Sequence, residues 1–297
     1  MSSPINHSPS LETAQHTLVG DRHDNQDRCL VVHSGDVCLL ALGDGMGGHP
    51  MGDLAAQIFV DVCEREIYRI PRPIGAPMDF LPWVLAAAHR EIQQFGAQQL
   101  PPVQPRTTAV LALIQEGICY WAHTGDSRIY LFRQGNLLFR SSDHSYVERL
   151  RQRGLIDAGQ LDLHPQRNYV TRCLGGNGAP AEPDTGQQPI QEGDIILLCS
   201  DGLWQSVNEE FMCGVLFNEA DIGFALRLLV EEAVAVAFPG SDNVTVVAGR
   251  VPGSKSPRPN QARRPVEKSS LDGNLSDTVA ALAQAVGALE DPEADPE

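Results

Sequence analysis

The feature that most constrains this fold is a set of short apolar runs that each deliver an aspartate at one end. Residues 37–42 lead into Gly43-Asp44, residues 118–123 into Gly125-Asp126-Ser127-Arg128, and residues 195–199 into Ser200-Asp201-Gly202-Leu203-Trp204, while Ser241-Asp242-Asn243 opens onto the run 244–247. A further motif, Gly20-x-Arg22-x-x-Asn25-Gln26-Asp27, precedes the apolar stretch 29–32, and Asp44 itself begins Asp44-Gly45-Met46-Gly47-Gly48. Taken singly, an aspartate before glycine is a turn former. Five such motifs in order, each beside a strand-like run, point instead to strand ends converging on one shared site. Two unit charges about 4 Å apart repel by roughly 4 kcal/mol at an effective dielectric of 20. A fold that gathers several carboxylates therefore needs cations, and oxygen-only ligands select magnesium or manganese.

The bulk properties narrow the classes of partner. A chain of 297 residues, 42% of them hydrophobic, is long enough to bury a substantial core. The formal net charge of -16 argues against a nucleic-acid partner, which demands a basic face. No apolar run approaches the roughly 20 residues of a spanning helix, so no membrane segment is expected. Residues 1–12, rich in Ser and Pro, contain no apolar stretch that would act as a secretory signal. Seven cysteines, with no Cys-x-x-Cys pair, read as reduced core residues of a cytoplasmic protein, expected to be a monomer.

Along the chain, residues 29–32 and 37–42 read as a hairpin turned at Gly35-Asp36, followed by two helices, one from Met51 and one over 80–98. Residues 107–115, 118–123 and 128–133 read as an antiparallel meander. Residues 141–178 interrupt it as a charged flap beside the site. A buried strand follows over 194–199, then helices over 209–217 and 222–236, and a closing strand from Val244. The expected organisation is a domain over 1–251, a flexible linker over 252–275, and a helix-prone segment with an acidic tail over 276–297, with Ser276 as its cap. Strands in runs alternating with helix pairs favour a layered sheet-and-helix domain.

These motifs, with Asp143-His144-Ser145 and Asn168-Tyr169-Val170-Thr171-Arg172, resemble the bacterial branch of the metal-dependent serine/threonine phosphatases, the protein phosphatase 2C family. The resemblance covers residues 11–250. It implies an α+β fold, a four-layer αββα sandwich of two antiparallel sheets flanked by helices, with a metal cluster at one end. Carried over by motif, Asp44, Asp201 and Asp242 are expected to ligate two Mn2+ or Mg2+ ions, with the carbonyl of Gly45 contributing. Asp126 would share a third, weaker ion with Asp201. Asp27 would hold water behind the ions, and Arg22 would bind phosphoryl oxygens through its planar fork. The implied reaction is hydrolysis of phosphoserine and phosphothreonine in proteins by a metal-activated water, in line and without a phosphoenzyme. The expected partners are phosphorylated proteins, a serine/threonine kinase or its substrates among them.

Two departures from the family pattern stand out. Met46 occupies a position where animal members carry a proton-donating histidine, which leaves the loop residue His49 or a water as the donor. Arg106 stands before Thr107-Thr108 where glycine is commoner. Among other phosphatase chemistries, Cys63 and Arg69 show the Cys-x5-Arg spacing, but the intervening residues lack glycine and read as helix, with no loop to cradle phosphate. From a different class, the same residues would suit a catalytically weak, phosphatase-like regulatory module that binds phosphoprotein.

Overall fold

The computed structural model describes residues 11–47, 50–161, 163–180 and 182–253. The chain divides into two units, residues 1–254 and 255–297. The second unit, with the helix and acidic tail expected there, lies outside the described residues, as does His49.

In chain order the strands are β1 (Glu12–Leu18), β2 (Asp27–Ser34) and β3 (Val37–Asp44), followed by the helices α1 (Gly52–Arg69) and α2 (Pro77–Ala97). Then come β4 (Arg106–Thr107), β5 (Ala109–Gln115), β6 (Ile118–Thr124), β7 (Arg128–Arg133) and β8 (Asn136–Arg140). The flap region contributes α3 (Tyr146–Gln152) and β9 (Leu174–Gly175). The rest is β10 (Asp184–Pro189), β11 (Ile195–Cys199), α4 (Asp201–Trp204), α5 (Glu209–Asn218), α6 (Ile222–Ala237) and β12 (Val244–Arg250). One antiparallel sheet has the order β1-β12-β11-β7-β8 and a second the order β10-β6-β5-β3-β2, while β4 and β9 form a small ribbon.

Side-chain alternation explains why these elements stack in four layers. Successive residues of a strand point to opposite faces. In β3, Leu39 and Ala41 join Phe59, Cys63 and Leu85 in a core under α1 and α2, whereas Leu40 and Leu42 enter a core shared with Ile196, Leu198 and Val247 of the other sheet. In β11, Ile195 and Leu197 pack under α5 and α6 with Leu216 and Leu226, and Ile196 and Leu198 face the first sheet. Strands covered on both faces must be apolar at every position, which is why the central runs are unbroken. The result is the expected α+β sandwich, two antiparallel sheets with helices outside each.

Three differences from the sequence reading have physical causes. The meander breaks after β6: β7 leaves that sheet and pairs with β11 and β8 of the other. The crossing occurs at Gly125, whose φ of 116° suits glycine, and it carries Asp126 to the end shared by both sheets. The single strand expected over 107–115 is split at Thr108, because Arg106 and Thr107 pair with β9 while Ala109 begins pairing with Thr124. Strands β1, β8 and β10, absent from the sequence reading, are sheet edges that lack the long unbroken apolar run of a central strand. The edge position also accommodates Pro189 in β10.

Leu40 is fully buried between the sheets, so Leu40→Ala should cost about 3 kcal/mol, within the roughly 2–5 kcal/mol range of buried leucine truncations. Urea titration should show a lower midpoint with an unchanged slope.

Candidate metal centre

The motif aspartates meet because strands from both sheets begin or end on one side of the sandwich. Asp44 closes β3 and is register partner to Asp27 at the start of β2. Asp126 lies in the crossing between β6 and β7, Asp201 opens α4 directly after β11, and Asp242 stands two residues before β12. A cavity of about 690 Å3 at this end is lined by Asp44, Gly45, Asp126, Asp201, Asp242 and Arg22. Asp27 lies behind it, 4% exposed, in contact with Asp44. All seven residues singled out from the sequence thus come to one place, six on the cavity wall and one beneath it.

Close backbone approaches bring the loops this near. A Cβ on Gly202 would lie 2.2 Å from the Asn243 carbonyl oxygen, and one on Gly45 would lie 2.4 Å from the Gly52 carbonyl oxygen. Only glycine allows these contacts. The first joins the Asp201 and Asp242 segments, and the second seats the Asp44 loop on the start of α1.

Polar side chains that the sequence reading quoted but gave no role complete the frame. Ser200 donates its hydroxyl to Asp27 Oδ2 at 2.8 Å and accepts from the Thr245 N–H at 3.0 Å. Thr108 accepts from the Asp44 N–H at 3.0 Å while its own N–H donates to the Asp44 carbonyl at 2.9 Å. Asn243 accepts from the Gln26 N–H and donates to the carbonyls of Val19 and Asp24. The Trp204 indole N–H donates to the Asp126 carbonyl at 2.9 Å, and its ring lies 3.6 Å beneath the Arg128 guanidinium, which grips Asp143 through two 2.7 Å bonds. Arg128 therefore anchors the start of the flap. His23 and Arg106 also line the cavity. The Arg106 carbonyl accepts from the Met46 N–H at 3.0 Å, so its backbone supports the Asp44 loop.

The electrostatics are those of a site short of positive charge. Burial, then repulsion from Asp27, Asp201, Asp126 and Asp242, pushes Asp44 well above the ordinary carboxylate range. Asp201 is raised in the same way, by burial and then by Asp126, Asp242 and Asp27. Burial pushes Asp27 up to about 6, against hydrogen bonds from Thr245 and Ser200. Asp126 rises to about 7, through burial and then repulsion from Asp143. Arg22 pairs with Asp242 at 2.9 Å on the exposed rim. Among the described residues, no basic side chain pairs with Asp44 or Asp201. One Asp27 oxygen, Oδ1, is buried without a partner. Clustered carboxylates with a backbone carbonyl beside them, and no basic partner on Asp44 or Asp201 among the described residues, fit divalent magnesium or manganese.

Two other constellations do different work. Cys63 and Arg69 both lie on α1, where burial pushes the thiol well above its usual range and Arg69 pairs with Glu66, so no thiolate nucleophile forms there. His123, His144 and Asp184 offer three ligand atoms within 4.8 Å of one another. However, the Gly125 N–H donates to His144 Nδ1, which leaves the imidazole proton on Nε2 facing Asp184, and Arg172 holds the same carboxylate at 2.9 Å. That corner is largely taken up by hydrogen bonds and an ion pair, although His123 Nδ1 is buried without a partner.

An enzyme that gathers oxygen donors in this way works through divalent cations, and its αββα scaffold is that of the metal-dependent protein phosphatases. Residues 19–219 match the family model described as protein phosphatase 2C, and the chain belongs to that family. It is similar to the protein phosphatase PhpP of Streptococcus pneumoniae, 30% identical over 241 residues that cover 80% of this chain and 96% of PhpP. Its structure resembles the serine/threonine phosphatase of S. agalactiae, with TM-score 0.73 and 31% identity over 81% of this chain and 99% of that one. It also resembles the catalytic domain of the serine/threonine protein phosphatase PstP solved with two manganese ions, with TM-score 0.66 and 30% identity over 82% and 99% of the chains.

The raised carboxylates set a pH dependence for the metal-free protein. Asp27 and Asp126 bind protons more tightly when folded than the ordinary carboxylate value near 4. Their contribution to stability is therefore complete below about pH 4 and lost as pH rises through 6 and 7. In chelator, scanning calorimetry should give a lower melting temperature at pH 8 than at pH 5. Manganese at 100 times its dissociation constant should add about 2.7 kcal/mol, raising the melting temperature by roughly 5–10 °C, and should narrow the gap between the two pH values.

Proposed function

We propose that this protein hydrolyses phosphoserine and phosphothreonine in proteins at the cavity walled by Asp44, Asp126, Asp201 and Asp242, reversing a serine/threonine kinase. The observation that carries the reading is the convergence of those carboxylates, without basic partners for Asp44 and Asp201, beside the Arg22 guanidinium. We assign Asp44, Asp201 and Asp242, with the Gly45 carbonyl, as ligands of two Mn2+ or Mg2+ ions, and Asp126 with Asp201 as the place of a third. Ions held there would supply Lewis-acid stabilisation of phosphoryl charge and would lower the pKa of a water suited to in-line attack on phosphorus.

The chain's own groups supply the rest. Arg22 uses one guanidinium nitrogen on Asp242, and its remaining N–H groups donate to the phosphoryl oxygens and orient them. Asp27, fixed by Ser200, holds Asp44 in place and accepts a hydrogen bond from water at the cluster through its unpartnered Oδ1. Met46 lines the cavity but has no proton to give, which leaves water or a loop histidine as the donor to the leaving alkoxide. Segment 168–170, within the flap region, forms the wall facing a protein substrate. Seven free cysteines favour a reducing, cytoplasmic setting.

The test is hydrolysis of an aryl phosphate with manganese and with chelator. Manganese-dependent turnover is expected, with Asp201→Asn and Asp242→Asn each lowering kcat by on the order of 10²–10³. Arg22→Gln should lower kcat/KM by about tenfold to a hundredfold. Folded protein that binds phosphopeptide without manganese-dependent turnover would establish the regulatory binding module instead.

A further inference from the structure

A second cavity, of about 410 Å3, adjoins the carboxylate cavity across a shared wall. Asn168, Tyr169 and Val170 face the first cavity, and the next two residues, Thr171 and Arg172, face the second. The wall is tied down. Tyr146 N–H donates to the Tyr169 carbonyl at 2.8 Å, Val170 bridges to Ser145, and the N–H and hydroxyl of Thr171 both donate to the His144 carbonyl, at 2.7 and 2.9 Å. Arg149 of α3 and Arg153, the residue that caps its C-terminus in helical conformation, lie four residues apart on one helical face and line the same cavity.

The charge balance of this cavity is positive. Its two carboxylates are each held by an arginine: Asp143 by Arg128 through two 2.7 Å bonds, and Asp184 by Arg172 at 2.9 Å. On α3 itself Glu148 is taken by Arg151 at 2.6 Å. Burial, with the neighbouring His123, lowers His144 to about 4, so it is neutral at physiological pH. Among the described residues Arg149 and Arg153 have no carboxylate partner, which leaves two uncompensated guanidinium groups in a chain of formal net charge -16. Such a chain repels anionic substrates overall, so a local cationic concavity is where an anionic group gains most.

We infer that this flap cavity is an anion subsite that receives an acidic or phosphorylated side chain of the protein substrate, near the phosphoester being hydrolysed. The inference rests on the phosphoprotein reading above and adds a substrate class to it. An extended peptide advances about 3.3 Å per residue, so a side chain two to four residues from the phosphoester reaches roughly 7–13 Å, enough to cross a wall one chain thick. Guanidinium forks match carboxylate and phosphate oxygens alike. Because Arg149 and Arg153 are exposed, screening keeps the effect to several-fold.

The test compares manganese-dependent kcat/KM on two phosphothreonine peptides, one with glutamates and one with glutamines at the flanking positions, for the native protein and for the double variant Arg149→Gln/Arg153→Gln. Both substituted side chains are exposed, and aryl phosphate turnover serves as the control for an intact centre. The native protein should favour the acidic peptide by about three- to tenfold, less at 0.5 M salt. The double variant should bring the ratio to within about twofold of unity with aryl phosphate turnover unchanged. Inorganic phosphate at millimolar concentration should reduce the native preference. Peptide hydrolysis indifferent to the flanks, or a preference that survives in the double variant, overturns the subsite alone. Aryl phosphate turnover with no hydrolysis of either peptide overturns the phosphoprotein reading, and the subsite with it.

Discussion

The structure depends on containing the mutual repulsion of carboxylates gathered at one end of a sandwich, two of them buried and two half-buried on the cavity wall. Asp44, Asp126 and Asp201, with Asp27 behind them, sit where burial and like charge both oppose ionisation. Left to themselves such groups would push the strand ends apart. The fold holds them with an apolar interior on both faces of β3 and β11 and with hydrogen bonds from Ser200, Thr108 and Asn243. Divalent cations relieve the remaining repulsion, so cofactor binding and stability are coupled through the same side chains.

The scaffold and the chemistry share one geometric device. Two sheets stacked with their strands ending on the same side present short loops from distant parts of the chain to one cavity, and each loop needs to place only one carboxylate. The crossing at Gly125 is one link between the layers, since β6 belongs to one sheet and β7 to the other. Trp204 and Arg128 then connect that crossing to α4 and to Asp143 at the start of the flap. The carboxylate cavity and the flap cavity are thereby coupled through packed side chains, with segment 168–172 serving both.

Much of this was legible in the sequence. The continuous apolar runs at 37–42 and 195–199 announced central strands, and the aspartates at their ends announced the site, because a residue just past a buried strand must emerge at the sheet's edge. The edge strands β1, β8 and β10 were not picked out, because they lack the long continuous apolar run that marks a strand covered on both faces. Nor was the handover of the chain between sheets at Gly125, since apolar residues in β6 and β7 are equally suited to one sheet or two.

By itself, then, the sequence singled out the carboxylates that line the cavity and pointed to oxygen-coordinated divalent ions, because carboxylate identity and strand-end position are local properties. Only the tertiary structure decided which charges are neighbours. It paired Arg22 with Asp242 and Arg128 with Asp143, set Asp27 behind the cavity wall, and left Arg149 and Arg153 without carboxylate partners among the described residues, in the cavity that Arg172 also lines. Those relations depend on distances between segments up to 220 residues apart in the chain, which packing of the two sheets sets and no local pattern encodes.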